Sequence, residues 1–120
     1  MNKASLEGKF ALIHEHWRPK VIGELNGQEV KLVKFQGEFV WHQHDEADEL
    51  FLGVKGRFRV EFRDRSFELG PGDLVIVPRG TQHRTVADRE AQVLIFEPAG
   101  VRNTGEVEHP TLTAPNRARV

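Results

Sequence analysis

The chain contains no cysteine, which excludes disulfides, thiolate metal ligands and a cysteine nucleophile. It has almost no net charge: 17 lysines and arginines stand against 18 aspartates and glutamates, a formal balance of −1. Such a balance gives no electrostatic footprint for nucleic acid or for an anionic membrane. No apolar run approaches the roughly 18 residues that a membrane-spanning helix needs. The first eight residues lack the hydrophobic region of a signal peptide. The expected location is therefore cytoplasmic, with neither nucleic acid nor membrane as a partner. Internal repeats and interdomain linkers are absent too. With 38% hydrophobic and 29% charged side chains, the 120 residues suit one globular domain spanning 1–120.

What the chain does have is turn chemistry at short intervals. Segments 20–25 and 29–36 flank Asn26-Gly27, a hairpin signal in which both turn positions favour positive φ. Further strands are expected at 38–44, 49–54, 57–62, 66–69, 74–77, 82–86 and 92–97, separated by Gly56, Asp64-Arg65, Gly70-Pro71-Gly72 and Pro78-Arg79-Gly80. Turn signals eight to twelve residues apart predict an all-β, antiparallel sandwich or barrel. Only the first nineteen residues have helical character, with Ser5 as N-cap and Gly8 and Pro19 as limits. Residues 99–120 read as an irregular tail, ordered where it packs on the sheets.

Period-two patterning separates the faces of these strands. Phe58, Val60 and Phe62 face one way, while Arg57, Arg59, Glu61 and Arg63 face solvent. Phe39 and Trp41 lie opposite to Val40, His42 and His44, and Leu50, Leu52 and Val54 lie opposite to Glu49 and Phe51. Segments 74–77 and 93–96 are apolar on both faces and need a second covering layer. A homodimer through the face carrying Phe39, Trp41, Leu50 and Leu52 is one way to supply it. The N-terminal segment, with Phe10, Leu12, Ile13 and Trp17, is the other.

The chemistry-bearing residues are His42, His44, Glu49 and His83. In a strand, residues two apart share a face, so His42 and His44 can aim two imidazoles at one point. Glu49 opens the next apolar run, and an antiparallel neighbour can return its carboxylate to the pair. Three imidazoles and one carboxylate form an N/O shell with up to two open positions. That donor set suits Fe(II), Mn(II), Ni(II), Co(II) or Zn(II). His14, His16 and His109 lack this context and read as surface or hydrogen-bonded residues.

These residues resemble the two motifs of the cupins. Gly37, His42, His44, Glu49 and Gly56 follow the spacing of the first motif, and Gly72, Pro78, Gly80 and His83 that of the second. Two departures stand out: four residues rather than five separate Gly37 from His42, and Ala87 takes a place where asparagine is frequent. The resemblance spans about residues 30–98. It implies a jelly-roll-like β-barrel of antiparallel sheets, holding one divalent metal ion (Fe, Mn, Ni or Zn) on His42, His44, Glu49 and His83.

Open metal positions can polarise a substrate oxygen or take up dioxygen. The expected inward lining, Phe51, Phe58, Val60 and Phe62, offers no cation for a sugar phosphate. It favours a small organic molecule and dioxygenase-like chemistry. A sugar-phosphate-isomerase-like enzyme and a non-catalytic small-ligand or metal-binding module are the alternatives. The absence of an attached DNA-binding segment tilts the reading toward an enzyme. Whether Glu49 is a ligand or a base stays open at this level, and no second acid or base is evident on the inward face.

Overall fold

The computed structural model of the chain describes residues 2–115 and 117–120. A short helix α1 (Leu6–Phe10) is followed by seven strands: β1 (Lys20–Leu25), β2 (Gln28–Glu38), β3 (Glu49–Lys55), β4 (Phe58–Phe62), β5 (Ser66–Leu69), β6 (Leu74–Val77) and β7 (His83–Pro98). Their order is β1-β2-β7-β3-β6, with the β4–β5 hairpin attached to β7. All the strand pairs are antiparallel. The sheet does not close into a full ring, which is the jelly-roll-like form of an all-β barrel.

Strand β7 holds this architecture together. Two strands are expected at 82–86 and 92–97, but the chain between them contains neither glycine nor proline, and one strand runs through. β2 runs along one side of both halves, from Gln28↔Pro98 to Glu38↔Val86. On the other side the first half pairs with β4, from Phe62↔His83 to Arg59↔Val86, and the second pairs with β3. The exposed residues Asp88, Arg89 and Glu90 lie between the halves. The sheet thus changes partners at one point and wraps its inward face around a single interior.

Segment 38–44 is not a strand beyond Glu38. Gly37 has φ 87°, and the β2–β7 register shifts between Phe35 and Gly37. A bulge of this kind bends the strand and re-aims the side chains after it. From Phe39 to Asp48 the chain is irregular, apart from a single bridge between His42 and His83. The bend also changes the facing expected for Phe39. Its ring is buried in the main core, where Trp17 stacks between it and Phe35 at centroid distances of 4.8 and 4.6 Å. Trp41 stays at the surface, with the Arg63 guanidinium 3.9 Å above its ring.

The interior is filled by inward residues at period two: Val33 and Phe35 of β2, Phe51 of β3, Phe58 and Val60 of β4, and Ala91, Val93 and Ile95 of β7. A second cluster lies on the outer face. There Phe10 and Ile13 cover Leu32, with Val54, Leu94 and Val120 at the margin. Ser5 caps α1 as expected, its Oγ accepting from the Gly8 N–H at 3.1 Å. The N-terminal segment therefore covers the β2 side of the outer face. It leaves Leu74 and Ile76 on β6 more than half exposed (56% and 57%) beside half-buried Leu50 and Leu52.

Among its described residues, the tail after Pro98 has no regular strand but is pinned at several points. Asn103 Nδ2 donates to the carbonyls of Trp17 and Leu112, and its Oδ1 accepts from the Ala114 N–H. Arg119 forms a parallel bridge with Val21. These contacts lay the tail across the end of the barrel formed by Trp17, Pro19 and the start of β2.

Candidate metal centre

Three stretches of chain supply the four candidate ligands. Glu49 is the first residue of β3 and His83 the first of β7. His42 and His44 sit on the irregular loop between β2 and β3. Backbone pairing fixes that loop: His42 and His83 exchange both N–H···O bonds at 2.9 Å, and the Gly80 N–H donates to the His44 carbonyl at 2.8 Å. The turn ending at Gly80 is thus tied to the loop carrying the paired histidines, which brings positions 42 and 83 side by side. All four side chains are buried, and one potential ligand atom from each lies within 4.8 Å of the others. The His42 and His83 rings are 4.3 Å apart and the His42 and His44 rings 5.0 Å apart, centroid to centroid.

The donor set fits a cation. His42 Nδ1 lies 2.9 Å from the Val40 carbonyl, and His83 Nδ1 2.9 Å from that of Thr81. A carbonyl only accepts, so each Nδ1 carries the proton, and in the neutral ring each Nε2 is left as a bare lone pair. Such a hydrogen bond to the far nitrogen is the device that orients a metal-ligating histidine. His44 Nε2 is buried without a hydrogen-bond partner. Glu49 Oε1 lies 3.3 Å from both His44 Nε2 and His83 Nε2. Lone pairs and a carboxylate crowded this closely repel one another unless a positive charge stands among them. A divalent ion satisfies all four at once.

Electrostatics follow the same geometry. Burial, reinforced by the neighbouring His83, pushes His42 down from its ordinary 6.5 to about 4. Burial drives the Glu49 carboxyl up, but the His44 and His83 rings 3.3 Å away outweigh it and hold the group below the usual carboxylate range. The consequence for His42 is measurable. As pH falls from about 6.5 to 4, the unfolded chain takes up a proton at position 42 that the folded metal-free protein refuses, and stability is lost across that window. His42→Gln removes this penalty. Urea unfolding of the metal-free proteins at pH 7 and pH 4 is expected to show the variant gaining roughly 3 kcal/mol relative to wild type. Parallel pH profiles would refute the assignment.

Beside the centre lies a cavity of about 20 Å³, room for a water-sized group, whose wall includes His42, Glu49, Phe51, Thr85 and Glu97. Trp17, Pro19 and Asn103 line it as well, and no lysine or arginine does. Of the expected lining, Phe51 is on the wall. Phe58 and Val60 are buried core residues away from it. Phe62 is half-buried between Phe67 and His83, with its ring 6.3 Å from that of His83.

Glu97 is the residue that sequence reasoning missed. It is 2% exposed and lines the cavity. Burial and the negative charge of Glu49 hold its carboxyl well above the ordinary range. The signal was its parity, since Glu97 falls in phase with inward Val93 and Ile95. The following proline made it read as the end of a strand instead. Glu29 and Lys31 are hidden by the same rule, in phase with Val33 and Phe35 on β2. Lys31 Nζ lies 2.9 Å from Glu97 Oε1 and 3.7 Å from Glu29 Oε1, with all three side chains buried. The remaining histidines stand apart from the centre. His16 pairs with Glu90 at the surface, and His109 Nδ1 accepts from the backbone of a tail turn.

A family model described as the cupin domain matches residues 29–99. The chain belongs to the cupin family. This cupin is 40% identical to a cupin-2 domain protein from Shewanella frigidimarina of known structure, covering 79% of this chain and 93% of that one with a TM-score of 0.78. It is 28% identical to KdgF from Halomonas, covering 67% of this chain and 78% of that one, TM-score 0.59. Among curated proteins it is 34% identical to the uncharacterized protein YdbB of Bacillus subtilis, over 63% of this chain and 77% of that protein. Among the described residues, no helix is long and apolar enough to cross a membrane.

Proposed function

We propose that this cupin is a metal-dependent enzyme acting on a small organic molecule, with dioxygenase-like chemistry as its first candidate and isomerisation as its second. The observation that carries the reading is the set of four buried ligand atoms beside a mostly apolar cavity. A bound divalent ion would supply a Lewis acid with open positions. The chain itself holds the ligands in place through Val40 and Thr81, excludes bulk water with Trp17, Phe35 and Phe51, and offers no cation to a phosphate. The size of the cavity also supports a second reading, a non-catalytic metal-binding module. A molecule larger than a water-sized group needs the tail segment around Asn103 to yield.

One experiment separates the two readings. Protein purified without a metal-binding tag is analysed for its metal, then loaded with Fe(II) and screened for oxygen uptake with catechols, diones and thiols. Metal-dependent uptake with one substrate class supports the enzyme. A loaded protein that consumes no oxygen and isomerises no α-hydroxyketone would point to the binding module.

We also infer that the chain forms a homodimer through the outer face of β3 and β6, where Leu50 pairs with Ile76 and Leu52 with Leu74. Leu74 and Ile76 are uncovered large apolar side chains on a sheet face, the kind of patch that marks an interaction surface. Light scattering is expected to give twice the 13.7 kDa chain mass, and Ile76→Glu to return a folded monomer. A monomeric wild type at micromolar concentration would contradict it.

A further inference from the structure

The sheet is open along one seam. Strand β5 pairs with β4 and strand β6 with β3, and the edges of β5 and β6 do not pair with each other. Residues directly opposite on antiparallel strands share a face. Phe67 stands opposite buried Val60, Val75 opposite buried Phe51, and Phe62 opposite buried His83. All three therefore point toward the interior. Yet Phe67 is 44% exposed, and Phe62 and Val75 are only half-buried. Inward apolar side chains that still meet solvent mark an opening in the barrel wall.

The opening is a groove of about 600 Å³, within the roughly 300–1,000 Å³ that small-molecule sites occupy. Its floor is Phe62 and Phe67, whose rings meet edge to face at 6.0 Å. The Phe62 ring also lies 6.3 Å from that of His83, so the floor ends one ring away from the metal centre. Ile76 of the proposed dimer face forms part of the rim. The charged residues on the wall are Arg63, Asp64 and Arg65. Asp64 and Arg65 pair with each other at 3.4 Å. Arg63 differs: its Nε donates to Gln82 Oε1 at 2.8 Å, and its guanidinium lies 3.9 Å over the Trp41 ring. Among the described residues no carboxylate pairs with it, and its two Nη groups have no acceptor. The groove thus holds a fixed, unneutralised cation beside an uncovered aromatic surface.

We propose that this groove binds a small carboxylate with an aromatic body. The body lies on Phe62 and Phe67, and the carboxylate takes the two Nη groups of Arg63 in a bidentate pair. Gln82 and Trp41 hold the guanidinium in one orientation, which lowers the entropy lost on binding. The groove shares no lining residue with the water-sized cavity beside Glu97. The site stands whether or not the metal centre is catalytic.

The test titrates the protein as purified, by calorimetry, with hydrocinnamate and with its neutral amide. Wild type is expected to bind the carboxylate roughly 10-fold more tightly, because its hydrogen bonds to the guanidinium are charge-assisted. The preference should shrink as salt is raised. Arg63→Gln should abolish it and leave the affinity for the amide unchanged. Phe67→Ala should weaken both probes several-fold and keep the preference. Both side chains are exposed, so neither change empties the core. Stripping the metal with a chelator should alter neither affinity. Equal affinity of wild type for the two probes, or no binding of either, would overturn the site. So would loss of hydrocinnamate binding on chelation, which would place the carboxylate on the metal and leave the proposed function standing. A dimer that Phe67→Ala turns into a monomer, with neither probe bound by wild type, would make the groove an interface between copies instead.

Discussion

Replacing His83 with alanine is expected to lower the affinity for a divalent ion by at least about 100-fold. Loss of an outer partner of a ligand already costs 10–100-fold in other metal sites, and His83 is itself one of the four converging side chains. Chelator competition at neutral pH would measure it. The variant should still fold, because the backbone bonds between positions 42 and 83 do not involve the ring. Truncating a side chain that is 0% exposed leaves a void, and the expected cost is about 2–4 kcal/mol. Metal linkage supplies an independent check: an ion at 100 times its Kd stabilises wild type by about 2.7 kcal/mol, and the same concentration should stabilise the variant by at most about 0.4 kcal/mol. His16→Ala, at an exposed ion pair, should change neither quantity. Affinity in His83→Ala within threefold of wild type would sink the assignment of the centre.

Lys31→Met is expected to destabilise the protein by about 3–5 kcal/mol. Methionine matches the length of the lysine stem, so packing is roughly preserved. What is lost is the cation between Glu29 and Glu97, whose side chains are 0% and 2% exposed. Two buried carboxyls would then share one end of the barrel with Glu49. Stability of an ordinary domain is about 5–15 kcal/mol, so a loss of this size removes a large share of it. The pH dependence has a definite sign. Glu97 already holds its proton well above the ordinary range, and acidification neutralises it further, while Glu29 keeps Arg117 Nε at 3.1 Å. The gap between variant and wild type should therefore narrow from pH 8 to pH 5 in urea unfolding. Arg57→Ala provides the contrast, since the Arg57–Glu68 pair is more than half exposed and such pairs contribute at most about 1 kcal/mol. A gap that widened on acidification would show that Lys31 stabilises by packing rather than by charge.

Much of the centre was legible along the chain because it depends on local spacing. His42 and His44 are two apart, Glu49 opens an apolar run, and His83 closes a Pro-Arg-Gly turn. Turn chemistry at Asn26-Gly27, Gly56 and Gly70-Pro71-Gly72 placed most strand limits within a few residues, since those residues reach backbone conformations that others avoid. The misplacements share one cause. Parity arguments assume a straight strand, and the bulge at Gly37 breaks the count. Phe39 therefore lands inside instead of outside, and the paired histidines sit on a loop instead of a strand. Where parity holds, along β2 and β7, Glu29, Lys31 and Glu97 fall on the inward face, and their charge hides this in the sequence.

The residues alone determined the class of fold, the absence of thiol chemistry and the identity of the four candidate ligands, because these follow from composition, from separations of a few residues and, for His83, from the resemblance of its turn to the second cupin motif. Only the tertiary structure decided what those ligands face. The pairing of positions 42 and 83 joins segments far apart in the chain. The depth of the cavity depends on how Trp17 and the tail meet across the barrel end. The burial of Glu97 beside Glu49 comes from strands that lie next to each other only after the sheet has wrapped. Local spacing can place a donor atom on a face, but long-range packing decides its neighbours, its exposure to water and its remaining hydrogen bonds.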